Sequence, residues 1–294
     1  MWHRGRLRSM GSPTWPRDGF ERKFFMSSRT EAVKIAPNDA FNIQTVLWVK
    51  HWNEHLFSFA VDRPASLRFR SGEFVMIGLP TEARPLLRAY SIASPSYSDE
   101  LEFLSIAVED GPLTSRLRHI IAGDEIYLAR KTTGTLVADA LTPGKRLFLL
   151  ATGTGLAPFL SVMRDPDIYE RYEQVVIVHS VRHLSDLAFR DLLESRLAGD
   201  PLVEEEAAAK FRYLPIVTRE PFPRQQRITT LMENGGLFDG IDGEPKLDPA
   251  TDRVMMCGSM DMIRDCSAIL ERLGFEEGSN AKPADFVIEK AFVG

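Results

Sequence analysis

The stretch of the sequence with the clearest chemical potential is FLLATGTGLAPFLS, residues 148–161, in which Gly153 and Gly155 interrupt two apolar runs. Glycines have no Cβ and therefore allow a tight turn and a close approach of the backbone to a ligand. Such a turn between a strand and a helix can hold a phosphate on the free amides of the helix N-terminus. Pro158 stands where the usual dinucleotide fingerprint has a third Gly or Ala. The spacing alone therefore leaves two interpretations open, a phosphate-binding turn and an ordinary strand–helix connection.

Two different patterns lie on either side of this stretch. Between residues 41 and 138, short β-rich runs alternate with turn residues around one short helical stretch, LTSRLRHII, which predicts an antiparallel β-barrel. After LTPGKR, residues 141–146, apolar strands alternate with helical segments such as residues 184–197 and 260–273. This alternation predicts a parallel sheet covered by helices. We therefore expect two domains, an antiparallel β-barrel over residues 33–140 and a Rossmann-like α/β domain over residues 141–294.

Composition narrows the class of protein. The 294 residues carry a formal net charge of -5, which does not suggest nucleic-acid binding, and no apolar run is long enough to span a bilayer. The two cysteines, Cys257 and Cys266, are too few for a four-thiolate iron–sulfur cluster, and they fit a reducing cytosol and hence a cytoplasmic protein. The basic start is rich in Gly, Pro and Ser, so we expect residues 1–32 to form a disordered leader. A misplaced start or a targeting peptide is the alternative for that segment.

One motif has the residue spacing of a zinc site. HWNEH, residues 51–55, has the H-x-x-E-H spacing of an inverted zinc-protease motif. Two histidines four residues apart share a metal only on a helix, whereas the flanking residues here alternate like strands. We predict a hairpin turn at this position and no metal site.

Six motifs give the glycine turn its context. They occur along the chain in the order RAYSIASP (88–95), GPLTSRL (111–117), GTGLAP (153–158), VTRE with RIT (217–220 and 227–229), CGS (257–259) and VIEKAFVG (287–294). Together they resemble the bacterial ferredoxin/flavodoxin–NADP(+) reductases of the ferredoxin-reductase superfamily. The resemblance covers residues 33–294. It implies that the barrel binds FAD, that the α/β domain binds NADP, and that the flavin lies between them.

On the flavin side, the resemblance implies that Arg88 binds the pyrophosphate, a role that suits a bidentate guanidinium. It implies that Tyr90, next to Ala89, stacks on the isoalloxazine and that Ser91 lies near flavin N5. The phosphates would lie at a helix N-terminus, and the adenosine against apolar side chains. The residues implied for these two roles are Gly111, Leu113, Thr114, Ser115, Ile106 and Val108. Without a flavin, the same residues would form an amphipathic strand with Tyr90 in the core, a capped helix and ordinary β-core positions.

On the nucleotide side, the resemblance implies a site for the nicotinamide, the pyrophosphate and the 2′-phosphate of NADP. Its residues are Thr152, Gly153, Thr154, Gly155, Arg182, Thr218, Arg219, Arg227 and Gly258. Arginines just beyond a strand end suit a phosphate dianion, whereas an NAD site typically offers a carboxylate to the ribose diol. NADP is therefore favoured over NAD. The alternative for each arginine is a solvated surface charge.

Four residues are implied around the reacting rings. Cys257 and Glu289 match a cysteine and a glutamate that border the nicotinamide in plant members of the superfamily, and Ser91 is the residue implied near flavin N5. Cys257 would shape the geometry, because hydride transfer needs no thiol nucleophile. Glu289 would position the nicotinamide or relay a proton. The alternatives are a small buried side chain and a surface carboxylate. Ala291, followed by Phe292, stands where plant enzymes have a terminal Tyr over the flavin.

The resemblance thus predicts an FAD-dependent enzyme that passes electrons between NADP(H) and ferredoxin or flavodoxin. Hydride transfer to flavin N5 would be followed by single-electron transfers. A reductase serving an oxygenase or another acceptor, and a non-catalytic flavin-binding redox sensor, are the alternatives. We expect a monomer with no nucleic-acid or membrane partner. An acidic carrier protein needs a local basic patch, for which the candidates are Arg63, Arg68, Arg70 and Arg84.

Overall fold

The computed structural model describes residues 31–82 and 84–290. Nearly all of the predicted leader, residues 1–32, lies outside these ranges, as do Ala291 and Phe292. The predicted boundary between the domains, after residue 140, stays a prediction.

The first part of the chain forms one antiparallel sheet. Its elements are β1 (Phe41–His51), β2 (Leu56–Asp62), β3 (Phe74–Leu79), β4 (Leu86–Ser91), β5 (Glu100–Ile106), the single-turn helix α1 (Thr114–Leu117) and β6 (Glu125–Thr133). The spatial order is β4-β3-β6-β1-β2-β5. The outer strands meet just beyond Ser91, where Ala93 N donates to Glu102 O at 2.8 Å. This contact closes the sheet around a core that includes Phe59, Ile77 and Phe103, so the predicted antiparallel barrel is confirmed.

The second part forms a parallel sheet with helices. Its elements are β7 (Arg146–Thr152), α2 (Ala157–Val162), α3 (Pro166–Arg171), β8 (Gln174–Val181), α4 (Arg190–Glu194), α5 (Glu204–Lys210), β9 (Phe211–Val217), α6 (Ile228–Asn234), β10 (Asp252–Gly258), α7 (Met260–Arg272) and β11 (Phe286–Lys290). Short 3-10 turns cover Ala138–Ala140, Gly153–Leu156, Leu184–Asp186 and Gly236–Phe238. The strand order is β11-β10-β7-β8-β9. The predicted α/β fold is therefore confirmed.

The apolar runs of the central strands follow from burial on both faces of this sheet. Along β7, Leu147 and Leu149 pack into one core cluster, whereas Phe148 and Leu150 pack into a second on the opposite face. Parallel strands covered by helices on both sides have no solvent face, so they show continuous apolar sequence rather than alternation.

One predicted helix is wrong. Residues 184–197 form a 3-10 turn, Leu184–Asp186, and then the short helix α4 instead of one continuous helix. Phe189, Arg196 and Leu197 have φ of 59°, 54° and 61°, which a right-handed helix does not allow. The sequence pattern also failed to indicate α3 and α5, which are only six and seven residues long.

The HWNEH motif lies where a hairpin was predicted. His51 ends β1 and His55 precedes β2, so the two histidines do not share a helix. Within residues 31–82 and 84–290, no cluster of three His, Cys, Asp or Glu side chains could hold a metal ion. In the same ranges, no helix has the length and apolar character needed to cross a membrane.

Candidate functional site

The strand β4 holds Tyr90 in the barrel and leaves Arg88 at the surface. The Tyr90 hydroxyl lies 3.0 Å from Ser105 Oγ, and its ring meets Phe103 edge-on at 6.2 Å. Burial raises the pKa of Tyr90, so the phenol stays protonated. Arg88 and Ala89 are exposed, and Arg88 donates only to Leu87 O, at 2.8 Å. Among the described residues no carboxylate neutralises Arg88, so its guanidinium is available to an anion.

The segment after β5 forms a small cradle. Gly111 N donates to Val108 O at 3.0 Å, and Thr114 Oγ1 accepts from Val108 N at 3.3 Å. A Cβ at Gly111 would lie 2.2 Å from Thr114 Oγ1, so only glycine fits this arrangement. The amides of Leu113 and Thr114 at the start of α1 have no acceptor among the described residues, whereas Ser115 N already donates to Gly111 O. Within the described part of the chain, these two amides are therefore left without an acceptor at the cradle.

Apolar side chains beside the cradle are exposed. Ile106 is 37% and Val108 is 51% accessible, and Ser105, the partner of Tyr90, directly precedes Ile106. Leu113 is a core residue with 1% exposure, so it can offer a ligand only its amide. An apolar surface next to unpartnered amides and near a free guanidinium fits the adenosine and phosphates of a dinucleotide.

The candidate nicotinamide edge lies at the carboxyl ends of β7, β10 and β11. Cys257 pairs in register with Ala151 on one side and with Glu289 on the other. Thr152 Oγ1 accepts from Ser259 N at 2.8 Å, which ties the end of β7 to the start of α7. A Cβ at Gly155 would lie 2.2 Å from Cys257 O, so the turn packs directly on the backbone of β10.

Gly258, at the end of β10, packs closely against Thr152 at the same edge of the sheet. Its φ is 154°, and a Cβ there would lie 2.1 Å from Thr152 Oγ1. The glycine therefore lets the chain pass from β10 into α7 in contact with Thr152.

A hydrogen bond from a buried histidine fixes the glycine turn. Gly153 has φ 54° with open space where a Cβ would stand, and its carbonyl lies 3.1 Å from His179 Nε2. Burial lowers the pKa of His179 to about 4, so the ring is neutral and Nε2 carries the proton that the carbonyl accepts. Thr154 is half-buried in the turn, and Pro158 lies in the first turn of α2, where a proline is tolerated.

Three arginines lie on the loops that follow β8 and β9. Thr218 N donates to Val181 O and Arg219 N to Arg182 O, each at 3.0 Å, so the two loops run side by side. Arg227 directly precedes α6. The side chains of Arg182, Arg219 and Arg227 are exposed and have no carboxylate partner in the described part of the chain.

The nearest acidic residue in sequence does not neutralise these arginines. Glu220 lies 2.7 Å from His183 Nδ1 and accepts from Leu184 N at 3.1 Å. These hydrogen bonds lower the pKa of Glu220, and they occupy both carboxylate oxygens. The loops therefore present unpaired positive charge, which suits a phosphate dianion.

The pKa values of Cys257 and Glu289 are both raised above their ordinary values. Burial raises the pKa of the Cys257 thiol, and the neighbouring Glu289 raises it further, so the side chain is an uncharged packing group. Burial also raises the pKa of Glu289 to about 7, with a further contribution from Glu73, while the Thr135 amide lowers it. Glu289 is therefore poised to hold or release a proton near neutral pH.

Glu289 also joins the two domains. Its Oε2 accepts from Thr135 N at 3.3 Å, just after β6 of the barrel. Phe74 on β3 pairs with Thr133 on one side and with Ser91 on the other. Ser91 and the Glu289 contact are therefore about two strand spacings, or roughly 10 Å, apart. Ser91 of the barrel and Glu289 of the α/β domain thus lie near the same part of the domain boundary.

The four arginines predicted to form a carrier patch differ in their surroundings. Arg63 donates to the carbonyls of Ser96 and Ser98 at 2.7 and 2.9 Å, and Arg70 pairs with Glu73 at 3.0 Å. Both guanidinium groups therefore stabilise the barrel itself. Arg68 and Arg84 are exposed and have no carboxylate partner among the described residues.

Sequence models of two domain families match the chain. The oxidoreductase FAD-binding domain matches residues 48–134, and the oxidoreductase NAD-binding domain matches residues 149–268. The first range includes β4 and the Gly111 cradle, and the second includes the glycine turn, the three arginines and Cys257. Fold and site together define an oxidoreductase that combines a flavin with a nicotinamide nucleotide.

Similar proteins narrow this class. The chain is 53% identical over 251 residues to a ferredoxin–NADP reductase of Pseudomonas aeruginosa, covering 85% of this chain and 97% of the relative. It is 50% identical over 266 residues to a flavodoxin/ferredoxin–NADP reductase of Rhodobacter capsulatus, covering 90% and 98%. A crystal structure of a ferredoxin NADP+ reductase from Neisseria gonorrhoeae with bound FAD and NADP superimposes with a TM-score of 0.79 at 32% identity, covering 87% and 100%. The chain belongs to the ferredoxin–NADP reductase family of enzymes, whose cofactors are FAD and NADP(H).

Proposed function

We propose that this enzyme passes electrons between NADP(H) and a small carrier protein, ferredoxin or flavodoxin. The observation that carries the proposal is the Glu289–Thr135 contact, because it joins the candidate nicotinamide edge to the barrel two strands away from Ser91. FAD, when bound, accepts two electrons as a hydride and releases them one at a time, which suits a one-electron carrier. The printed names of the relatives support ferredoxin and flavodoxin as the carriers.

On the flavin side, the unneutralised guanidinium of Arg88 and the free amides of Leu113 and Thr114 would bind the pyrophosphate. The exposed Ile106 and Val108 would cover the adenosine half. The hydrogen bond to Ser105 and the packing against Phe103 fix the ring of Tyr90, and the isoalloxazine would lie against this residue. Because the ring of Tyr90 is fixed before the cofactor binds, the ordering cost of binding is reduced.

On the nucleotide side, Arg182, Arg219 and Arg227 would bind the 2′-phosphate. Their lack of carboxylate partners supports this role, and so does the engagement of Glu220 by His183 and Leu184. A free carboxylate at this position would instead favour the ribose diol of NADH. The turn from Thr152 to Gly155 would lie against the pyrophosphate and the nicotinamide, with the backbone shape that His179 and Cys257 impose.

Around the reacting rings, the chain supplies orientation and proton control. Cys257 would stay a protonated thiol that packs beside the nicotinamide. Because a nucleophile would have to be a thiolate, a nucleophilic role is not part of the proposal. Glu289, with its pKa raised to about 7, would hold a proton at the nicotinamide edge below neutral pH and a negative charge above it. Ser91 would face this edge from β4, and Ala291 belongs to the same group by its position one residue after Lys290.

For the carrier protein, we propose electrostatic docking at Arg68 and Arg84. Both are exposed and have no carboxylate partner among the described residues, whereas Arg63 is held by barrel carbonyls and Arg70 by Glu73. An acidic carrier would be attracted to them at low ionic strength. The cytoplasmic location and the monomeric state stay predictions.

Steady-state turnover tests the proposal. The FAD-loaded enzyme should reduce ferricyanide with NADPH, and it should reduce ferredoxin or flavodoxin with a rate that falls as salt increases, because screening weakens the docking of an acidic partner. Turnover with ferricyanide but with neither carrier would support the reductase for another acceptor. An FAD-loaded protein without any NADPH-dependent turnover would contradict an enzymatic role.

A further inference from the structure

The domain boundary contains a buried arginine outside both candidate cofactor sites. Arg164 lies just after α2 and is 5% exposed. Its Nε donates to Leu160 O of its own helix at 3.0 Å. Its Nη2 crosses to the barrel, where it donates to Ala93 O at 3.3 Å and lies 3.8 Å from Glu102 Oε2. Because a buried charge is costly unless it is paired and hydrogen-bonded, these contacts define one orientation of the guanidinium.

Arg164 contacts the seam that closes the barrel. Ala93 N donates to Glu102 O at 2.8 Å, and Glu102 N donates to Ser94 Oγ at 3.1 Å. Ala93 is two residues beyond Ser91, at the point where the chain leaves the candidate flavin strand. The guanidinium therefore holds the carbonyl that follows the flavin strand and the carboxylate across the seam from it.

The helix α2, which ends two residues before Arg164, begins at the candidate nicotinamide turn. The 3-10 turn Gly153–Leu156 leads directly into α2, whose six residues are all buried. A short helix with no exposed residue is fixed by packing on every side. The buried helix α2 therefore connects the glycine turn to the segment that carries Arg164.

A second contact holds the same barrel segment to the α/β domain. The Tyr97 hydroxyl lies 2.8 Å from both carboxylate oxygens of Asp200. Asp200 is 4% exposed and also accepts from the amides of Leu202 and Val203. The connection between β4 and β5 is thus fixed to the nucleotide domain at two points, of which the Arg164 contact lies nearer to Ser91 in sequence.

We propose that Arg164 is a positioning residue for hydride transfer. By fixing Ala93 and Glu102 against the end of α2, it sets the position of Tyr90 and Ser91 relative to the turn that carries the nicotinamide. The proposal rests on the function proposed above. Because a misplacement of about 1 Å can cost about a hundredfold in rate, loss of this contact should slow the chemical step while both cofactors still bind.

The test is anaerobic stopped-flow reduction of the FAD-loaded enzyme by NADPH. The limiting rate of flavin bleaching, the NADPH concentration at half-maximal rate and the bound FAD per chain are measured for Arg164→Met and Arg164→Lys. Arg190→Met serves as the matched control, because Arg190 pairs with Glu194 within its own helix. We expect Arg164→Met to lower the limiting rate by about ten- to a hundredfold, with FAD content and NADPH affinity within about threefold of wild type.

Arg164→Lys should recover part of the rate. Its ammonium can pair with Glu102 but cannot donate to both Leu160 O and Ala93 O in the geometry of a guanidinium. If Arg164→Met does not fold, the lysine variant decides the question by the same three measurements. A limiting rate within about twofold of wild type, or a rate loss that only follows loss of FAD or NADPH binding, would overturn the proposal. A wild-type enzyme that NADPH does not bleach would instead contradict the proposed function.

Discussion

The two candidate cofactor regions hold their functional groups in different ways. In the barrel, Tyr90 is fixed by Ser105 and Phe103, and Gly111 shapes a cradle that a Cβ would fill. In the α/β domain, Arg219 and Arg227 stand exposed on loops without acidic partners in the described residues. A preformed seat favours tight retention of one group, whereas unpaired charges on a surface favour recognition of a ligand that enters and leaves. Arg88 is exposed on the barrel side too, so the contrast lies in the buried Tyr90 and the cradle, and it is the one we expect between a resident flavin and an exchanging nucleotide.

Removing the unpaired charges should affect only the nucleotide side. In the double variant Arg219→Ala with Arg227→Ala, we expect the preference for NADPH over NADH to fall by about a hundredfold or more, because each charge-assisted hydrogen bond contributes about 1.5–3 kcal/mol. The ratio of kcat/KM values for the two nucleotides measures this change. FAD content should stay at the wild-type level.

The matched control for this variant is Arg264→Ala with Arg272→Ala on α7. These arginines are exposed and paired with carboxylates such as Asp261 and Glu233, so their removal should leave the selectivity unchanged. If the Arg219 and Arg227 variant keeps the wild-type NADPH preference, the 2′-phosphate binds elsewhere.

Removing the charge of Arg88 on the barrel side should weaken FAD binding. Arg88→Ala should weaken FAD binding by about tenfold or more, since one charge-assisted contact to a phosphate is lost. Dialysis followed by FAD titration measures the affinity. Arg68→Ala is the control, because Arg68 is also exposed but donates only to the carbonyls of Ala65 and Leu67. Equal FAD affinity in the two variants would remove Arg88 from the flavin site.

At the boundary between the two regions, Glu289 should make the stability of the protein depend on pH. The pKa of Glu289 is raised to about 7 by burial and by Glu73. At a pH between the ordinary glutamate pKa and this value, Glu289 is ionised in the unfolded chain but still protonated in the folded protein. The free energy of unfolding of wild type therefore falls as pH rises through this range. Glu289→Gln removes this loss. Its melting temperature relative to wild type should therefore rise by roughly 5–10 °C from acidic to mildly alkaline pH.

Melting of the FAD-loaded proteins at several pH values checks this expectation. Glu271→Gln, an exposed carboxylate on α7, supplies the control with no such trend. A pH-independent difference between Glu289→Gln and wild type would mean that Glu289 ionises in the folded protein as it does in the unfolded chain.

Local patterns predicted the parts of the molecule that depend on local physics. The apolar run of β7 and the glycines that follow it indicated a strand, a turn and a helix, because burial on both faces and a missing Cβ leave direct marks in the sequence. The break at Phe189 left no such mark, because a left-handed φ at a bulky residue is imposed by surrounding packing.

Long-range pairing was not predictable from the sequence. Arg63 and Arg84 look alike in the sequence, yet only Arg63 is held by the carbonyls of Ser96 and Ser98, more than thirty residues away. Arg164 belongs to none of the motifs, and its contact with Ala93 depends on how the two domains meet. The roles of the individual site residues, Ala291 and Phe292 included, stay predictions.

The anaerobic visible spectrum of the purified, FAD-loaded protein tests the central claim most directly. Stoichiometric NADPH, and in a separate sample NADH, is added while the flavin bands are followed. We predict that NADPH bleaches the bands much faster than NADH, because the three unpaired arginines favour the 2′-phosphate. A protein that takes up no FAD, or whose flavin stays oxidised with NADPH, would contradict the account.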